Sequence, residues 1–139
     1  MSASMQTSIF LARLIGPVMT LVGVSLLVNE TAFRKMAQDF LRSPSLMFFS
    51  GMILMPAGLA IVLTHNVWVV GWPVLITISG WLALINGAVR LLTPQDAVKF
   101  ARRVYRQPHG ALMTGLVWIV TGAVLTFFGY LSEPLGVNP

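Results

Sequence analysis

Four stretches of this chain are apolar over at least 18 positions and contain no acidic residue: residues 9–28, 46–63, 69–92 and 111–131. A helix rises ~1.5 Å per residue and needs ~17–25 residues to cross a hydrocarbon core ~30 Å thick, so each run is long enough to span a bilayer. In lipid the backbone polar groups of a span must be satisfied within the span, which leaves the helix as the natural reading of four such runs. Composition agrees. Apolar residues make up 56% of the 139 and charged residues 9%, with a mean hydropathy of +0.82, whereas about a quarter of a soluble domain is charged. The expected class is an all-α membrane protein, residues 1–139 forming a single membrane domain with no room for a separate soluble one.

The first run differs from a cleavable signal peptide. No basic side chain precedes it, it exceeds the usual length of such a core, and residues 27–33 lack a small-residue cleavage pattern, so a retained span is expected. Arg13 lies in its first turns, where the methylenes can stay in lipid while the guanidinium reaches the interface, as an anchor or as a contact for a lipid phosphate. Pro17 cannot donate to the Arg13 carbonyl, so a bend or an irregular start is expected there. Pro56 is expected to kink the second span in the same way.

The connectors between spans change period. In residues 30–42, Phe33, Met36, Ala37, Phe40 and Leu41 recur at helical spacing, with Arg34, Lys35, Gln38, Asp39 and Arg42 opposite. After Thr93-Pro94-Gln95-Asp96, a helix-start pattern, residues 94–106 repeat the design. Ala97, Phe100, Ala101, Val104 and Tyr105 face one way, and Lys99, Arg102, Arg103 and Arg106 the other. Both segments are expected to be amphipathic helices lying in the interface. Arg34, Lys35, Lys99, Arg102, Arg103 and Arg106 are the candidate contacts for anionic lipid headgroups, each worth ~1 kcal/mol near a charged leaflet. Despite a pI of 10.9, no soluble module is present to carry nucleic-acid binding.

Eight of the nine basic residues lie in or beside these two connectors, and the central hairpin, Thr64-His65-Asn66, has none. By the positive-inside rule the connectors are cytoplasmic, and the hairpin and both termini are outside.

The halves on either side of the hairpin resemble each other. At an offset of 57, Thr20, Gly23, Leu27 and Asn29 match Thr77, Gly80, Leu84 and Asn86; at 64, Ala37, Arg42, Pro44, Gly51 and Gly58 match Ala101, Arg106, Pro108, Gly115 and Gly122. The expected architecture is two parallel repeats, each a helix, an interfacial helix and a helix, related by a pseudo-twofold axis along the membrane normal. Glycines recur every seven residues, including Gly51 and Gly58, Gly80 and Gly87, and Gly115 and Gly122. That period keeps one face toward a neighbour, so these positions are expected to be packing seams, with Asn86 hydrogen-bonding an adjacent helix.

Two readings compete for His65-Asn66-Val67-Trp68 and the nearby Trp72: a polar turn flanked by an aromatic belt, or an interaction surface formed by His65, Asn66, Trp68 and Trp72. The His-Asn-x-Trp motif, followed by Trp72-Pro73, Gly80-Trp81, Gly87 and a basic connector, resembles a group of small bacterial four-span membrane proteins with no assigned activity. The resemblance covers the second and third spans. It implies a bacterial inner membrane and no chemistry.

Little in the sequence supports catalysis. Cysteine is absent, the acids Glu30, Asp39, Asp96 and Glu133 fall outside the four runs, and His65 and His109 are expected on opposite faces. No metal, cofactor or catalytic site is expected. An intramembrane carboxylate, normal in a proton-coupled exporter, is missing. Two functions remain: a structural or accessory protein that binds a membrane partner or its own copy, or a small channel or uncoupled carrier whose path follows Thr20, Asn86, Thr114, Thr121 and Thr126.

Overall fold

The structure, a computed structural model, describes residues 3–131, and all its regular elements are α-helices. They run α1 (Ala3–Val28), α2 (Glu30–Arg42), α3 (Pro44–Thr64), α4 (Pro73–Leu92), α5 (Pro94–Tyr105) and α6 (Gly110–Leu131). Four of them, α1, α3, α4 and α6, are long and apolar enough to cross a membrane. The chain is a multi-pass, all-α membrane protein whose spans are joined at one end by α2 and α5, here the basic end, and at the other by residues 65–72, the hairpin end.

Several helix boundaries move from their expected places for identifiable reasons. The third span starts at Pro73 rather than near residue 69. The proline ring suits a first helical position, and Gly71 just before it has φ +156°, which a side chain would strain. Pro44 opens α3 behind Ser43, whose hydroxyl accepts from the Leu46 N–H at 3.4 Å. Pro94 likewise opens α5, but the expected Thr93 cap does not form, because that hydroxyl turns back to the Val89 carbonyl at 3.2 Å. Helix α1 runs unbroken through Pro17. The Arg13 carbonyl that this proline leaves free receives the Tyr130 hydroxyl of α6 at 3.4 Å, a tertiary replacement for the lost helical bond.

The spans pack in two tight pairs, α1 along α6 and α3 along α4. The first span of each half therefore lies on the second span of the other half. Glycine makes both approaches possible. A Cβ at Gly122 would stand 2.5 Å from the Thr20 nitrogen, and one at Gly87 2.5 Å from the Met55 nitrogen. A Cβ at Gly58 would meet the Leu84 backbone more closely still. Gly51, Gly58, Gly80, Gly87, Gly115 and Gly122 are all buried in one seam or the other. Between helices in lipid no hydrophobic force acts, so this close contact supplies the dispersion energy that holds each pair.

The seam contacts can be compared with the two sequence offsets. Gly58 packs on Leu84 and Ala83, whereas Gly115 packs on Leu27 and Leu26. These partners are 57 residues apart, but Gly122 packs on Thr20, which is 64 residues from Leu84, and Gly51 packs on Leu91, which is 64 from the Leu27 beneath Gly115, so the contacts fit both offsets. A slide of seven residues is about two turns and leaves the same face forward, so the glycine ladder matches in either register.

There are two separate buried clusters, one where the two pairs meet and one where α2 and α5 pack on α3. At the hairpin end Ala12, Ile76 and Leu125 form one, with Ile15, Met19, Ile61 and Leu75 around it. At the basic end Leu41, Met47 and Ala97 form the other, with Phe40, Ala101 and Tyr105. The apolar faces of α2 and α5 are thus divided between protein and surroundings. Leu41 and Ala97 are buried, while Met36 and Phe100 are 66% and 71% exposed. A spin label at Phe100 is expected to report lipid contact and one at Phe40 restricted motion against protein. Free aqueous mobility at both would contradict the placement of these helices.

Candidate functional site

The polar chemistry of the hairpin end is organised by His65, which caps α3 and is 1% exposed. Its Nε2 lies 2.6 Å from the Ser8 hydroxyl of α1 and its Nδ1 3.1 Å from the Thr77 hydroxyl of α4. Thr77 grips the hairpin backbone as well, accepting from the Val67 N–H at 3.1 Å and donating to the Val67 carbonyl at 3.0 Å. With its one proton so placed, Thr77 accepts from His65 Nδ1–H, and Nε2 makes the second hydrogen bond of the ring with the Ser8 hydroxyl. The imidazole is thus bonded at both nitrogens. Burial holds its pKa below the ordinary 6.5, a backbone hydrogen bond partly opposing.

A serine hydroxyl this close to an imidazole has the spacing of a nucleophile and its base. Here the orienting group is a threonine rather than a carboxylate, and Ser8 is itself 2% exposed. The arrangement ties three helices together and satisfies an irregular stretch of backbone.

This placement divides the four residues of the candidate interaction surface. His65 faces inward. Trp72 is half-buried, its ring stacked on Phe128 of α6 at 5.7 Å and 5°. Asn66 and Trp68 alone are exposed, joined by an indole N–H to Asn66 Oδ1 bond of 2.7 Å. The sequence reading missed Ser8 and Thr77; the signal for them was the histidine itself, a group that must find partners wherever it is buried.

Arg13 is engaged by α6. Its Nε donates to the Gly129 carbonyl at 2.7 Å, and the guanidinium lies 5.7 Å from the Tyr130 ring centroid. Gly129 is in the last turn of α6, where carbonyls lack helical partners. The side chain is thus held at the hairpin-end terminus of α6.

At the basic end, Asn86 is exposed and accepts from Arg90 of its own helix at 3.0 Å. The bond that crosses between helices is made instead by Arg90, to the Ser50 hydroxyl of α3 at 2.7 Å. Arg34 is likewise occupied, by Glu30 at 2.8 Å and by the Pro108 carbonyl at 3.0 Å. Lys35 is exposed on α2. On α5, Lys99, Arg102, Arg103 and Arg106 line an open cleft with Gln107. Lys99 makes an exposed ion pair with Asp96 at 3.2 Å. Tyr105, behind this face, has its phenol pKa raised by burial, with Arg90 opposing.

Among the described residues no three His, Asp or Glu side chains gather as metal ligands would. Comparison of the chain with protein-family models, with curated proteins and with solved structures finds no match.

Proposed function

We propose that this is a structural or accessory protein of a bacterial inner membrane, binding a larger membrane partner or a second copy of itself. One observation carries the reading: among the described residues no buried side-chain nitrogen or oxygen lacks a hydrogen-bond partner. Polar groups that serve a transported solute must be available to it, and here they are spent on the protein. The hydroxyls of Thr20, Thr114 and Thr126 bond the carbonyls of Gly16, Gly110 and Gly122 in their own helices, at 2.9, 2.8 and 2.7 Å. With Asn86 tied to Arg90, the path of the channel or carrier alternative loses most of its polar members.

Only about a fifth of each span, 17–22%, is buried within the single chain, so the spans offer wide apolar faces to lipid or to another protein. The glycines are consumed inside the pairs. A partner would thus meet the outward aliphatic and aromatic faces, with Asn66 and Trp68 at the hairpin end. The halves fit a pseudo-twofold relation, since Ser8 and His65, which touch each other, are themselves 57 residues apart, as two equivalent positions meeting at the axis would be.

Affinity purification of the full chain in mild detergent, followed by mass spectrometry and native mass measurement, tests the function. A stoichiometric second protein or a defined homo-oligomer is expected; a lone monomer in repeated preparations would count against it. The orientation, with α2 and α5 cytoplasmic and both termini outside, is tested by reporter fusions at Pro139 and within residues 95–106. A cytoplasmic C-terminus would overturn it.

A further inference from the structure

The two amphipathic helices differ in how their charges are balanced. On α2, Glu30 takes Arg34, and Asp39 stands four residues from Lys35 and three from Arg42, spacings at which side chains are neighbours. On α5 the single acid, Asp96, reaches only Lys99. Beyond it Arg102, Arg103 and Arg106 follow within about one turn, and with Lys99 they form neighbouring pairs of like charge, each of which destabilises the helix. These four cations and the Gln107 amide line one cleft. Three arginines and a lysine whose side chains border one hollow can bring their exposed, mobile head groups to a ligand with several anionic oxygens and more than one charge.

We propose that the α5 cleft is a phosphate-binding site selective for a phosphomonoester, with Arg102, Arg103 and Arg106 as the principal ligands. A phosphomonoester carries about 1.5 to 2 negative charges near neutrality and three terminal oxygens, which the three arginines can share and which a phosphodiester offers only in part. The site goes beyond the partner-binding role and stands whether or not a protein partner is found. Its surroundings suit a lipid headgroup: Phe100, 71% exposed on the same helix, is an apolar group adjacent to the cations, as required where acyl chains meet phosphates. A soluble phosphate ester presents the same chemistry, and the experiment separates the two sources.

The full chain is reconstituted in phosphatidylcholine nanodiscs containing phosphatidic acid, or phosphatidylglycerol at matched total charge. Thermal midpoint and retained lipid, by native mass spectrometry, are recorded. Phosphatidic acid is expected to raise the midpoint saturably, with one lipid retained per chain and an affinity roughly tenfold above that for phosphatidylglycerol. The triple variant Arg102→Gln/Arg103→Gln/Arg106→Gln should lose the increment, while Lys35→Gln/Arg42→Gln on α2 keeps it. These substitutions remove exposed like charges, so the midpoint without anionic lipid should not fall. Displacement of the lipid by inorganic phosphate or glycerol 3-phosphate identifies a site that also accepts the soluble source; no displacement identifies one that needs the lipid. Equal response to both lipids at matched charge, or equal loss in the two variants, would show diffuse attraction to an anionic surface and overturn the site.

Discussion

Gly58→Leu and Gly122→Leu should each destabilise the protein in detergent by at least ~1–3 kcal/mol, the usual cost of overpacking, with an upper end set by how far the helices must separate. Both residues face backbone that cannot turn aside: Gly58 lies on the Leu84 backbone, and Gly122 on the Thr20 nitrogen and Gly16 carbonyl with the Thr20 hydroxyl beside them. Even one Cβ has nowhere to go, so the alanine variants should also suffer. Gly115 provides the internal comparison. A Cβ there would first meet the end of the Leu27 side chain at 3.1 Å, which can turn aside, so Gly115→Ala should cost distinctly less than Gly58→Ala. Thermal midpoints of the five variants in one detergent check the order. Equal midpoints for parent and both leucine variants would mean that the pairs are not held by glycine contact.

His65→Leu should be the second severe change, lowering stability by ~1–3 kcal/mol for each buried group left without a partner. The buried Ser8 hydroxyl loses the imidazole, and Thr77 loses one of its hydrogen bonds while keeping the hairpin backbone. The pH dependence has a definite sign. Because burial lowers the folded pKa of His65 below 6.5, the unfolded chain takes up the proton first as pH falls. The stabilising contribution is full above pH 6.5 and is lost as pH falls from there through the lowered folded value. A His65→Gln variant, which keeps some hydrogen bonding without the titration, should lack this loss. Denaturation midpoints across that range measure it, and parallel profiles for parent and His65→Gln would show that the imidazole titrates as freely as in water.

These particular residues show what could be read from the sequence and what could not. Four spans and two amphipathic connectors are consequences of local pattern, apolar length in the first case and a 3.6-residue period in the second, and α1 to α6 follow them closely. The glycine seams were legible because a seven-residue period keeps one face forward. The offset between the halves was not, since a shift of two turns preserves that face, and the contacts themselves fit both offsets: Gly58 on Leu84 is matched by Gly115 on Leu27 at 57 and by Gly122 on Thr20 at 64. The polar side chains were least legible. His65 read as part of a surface turn because its partner Ser8 lies in another span, and Asn86 read as a bond between helices because nothing local shows that Arg90, one turn on, takes its oxygen. The partners of Arg13 were illegible for the same reason: Gly129 and Tyr130 are brought to it by the pairing of α1 with α6.

That pairing is the claim on which the rest depends, and a chain without cysteine allows a clean test by disulfide cross-linking in native membranes. A Cβ at Gly129 would lie 3.2 Å from that of Ala12, and one at Gly115 3.3 Å from that of Leu26, close to the separation a disulfide requires. The double variants Ala12→Cys/Gly129→Cys and Leu26→Cys/Gly115→Cys should both form intramolecular cross-links under mild oxidation, fixing α1 to α6 near each end. Ala12→Cys/Met55→Cys, which would join α1 to the second span of its own half, should not. Cross-linking of that third variant, with none in the first two, would mean that each half packs on itself and that the cross-paired architecture is wrong.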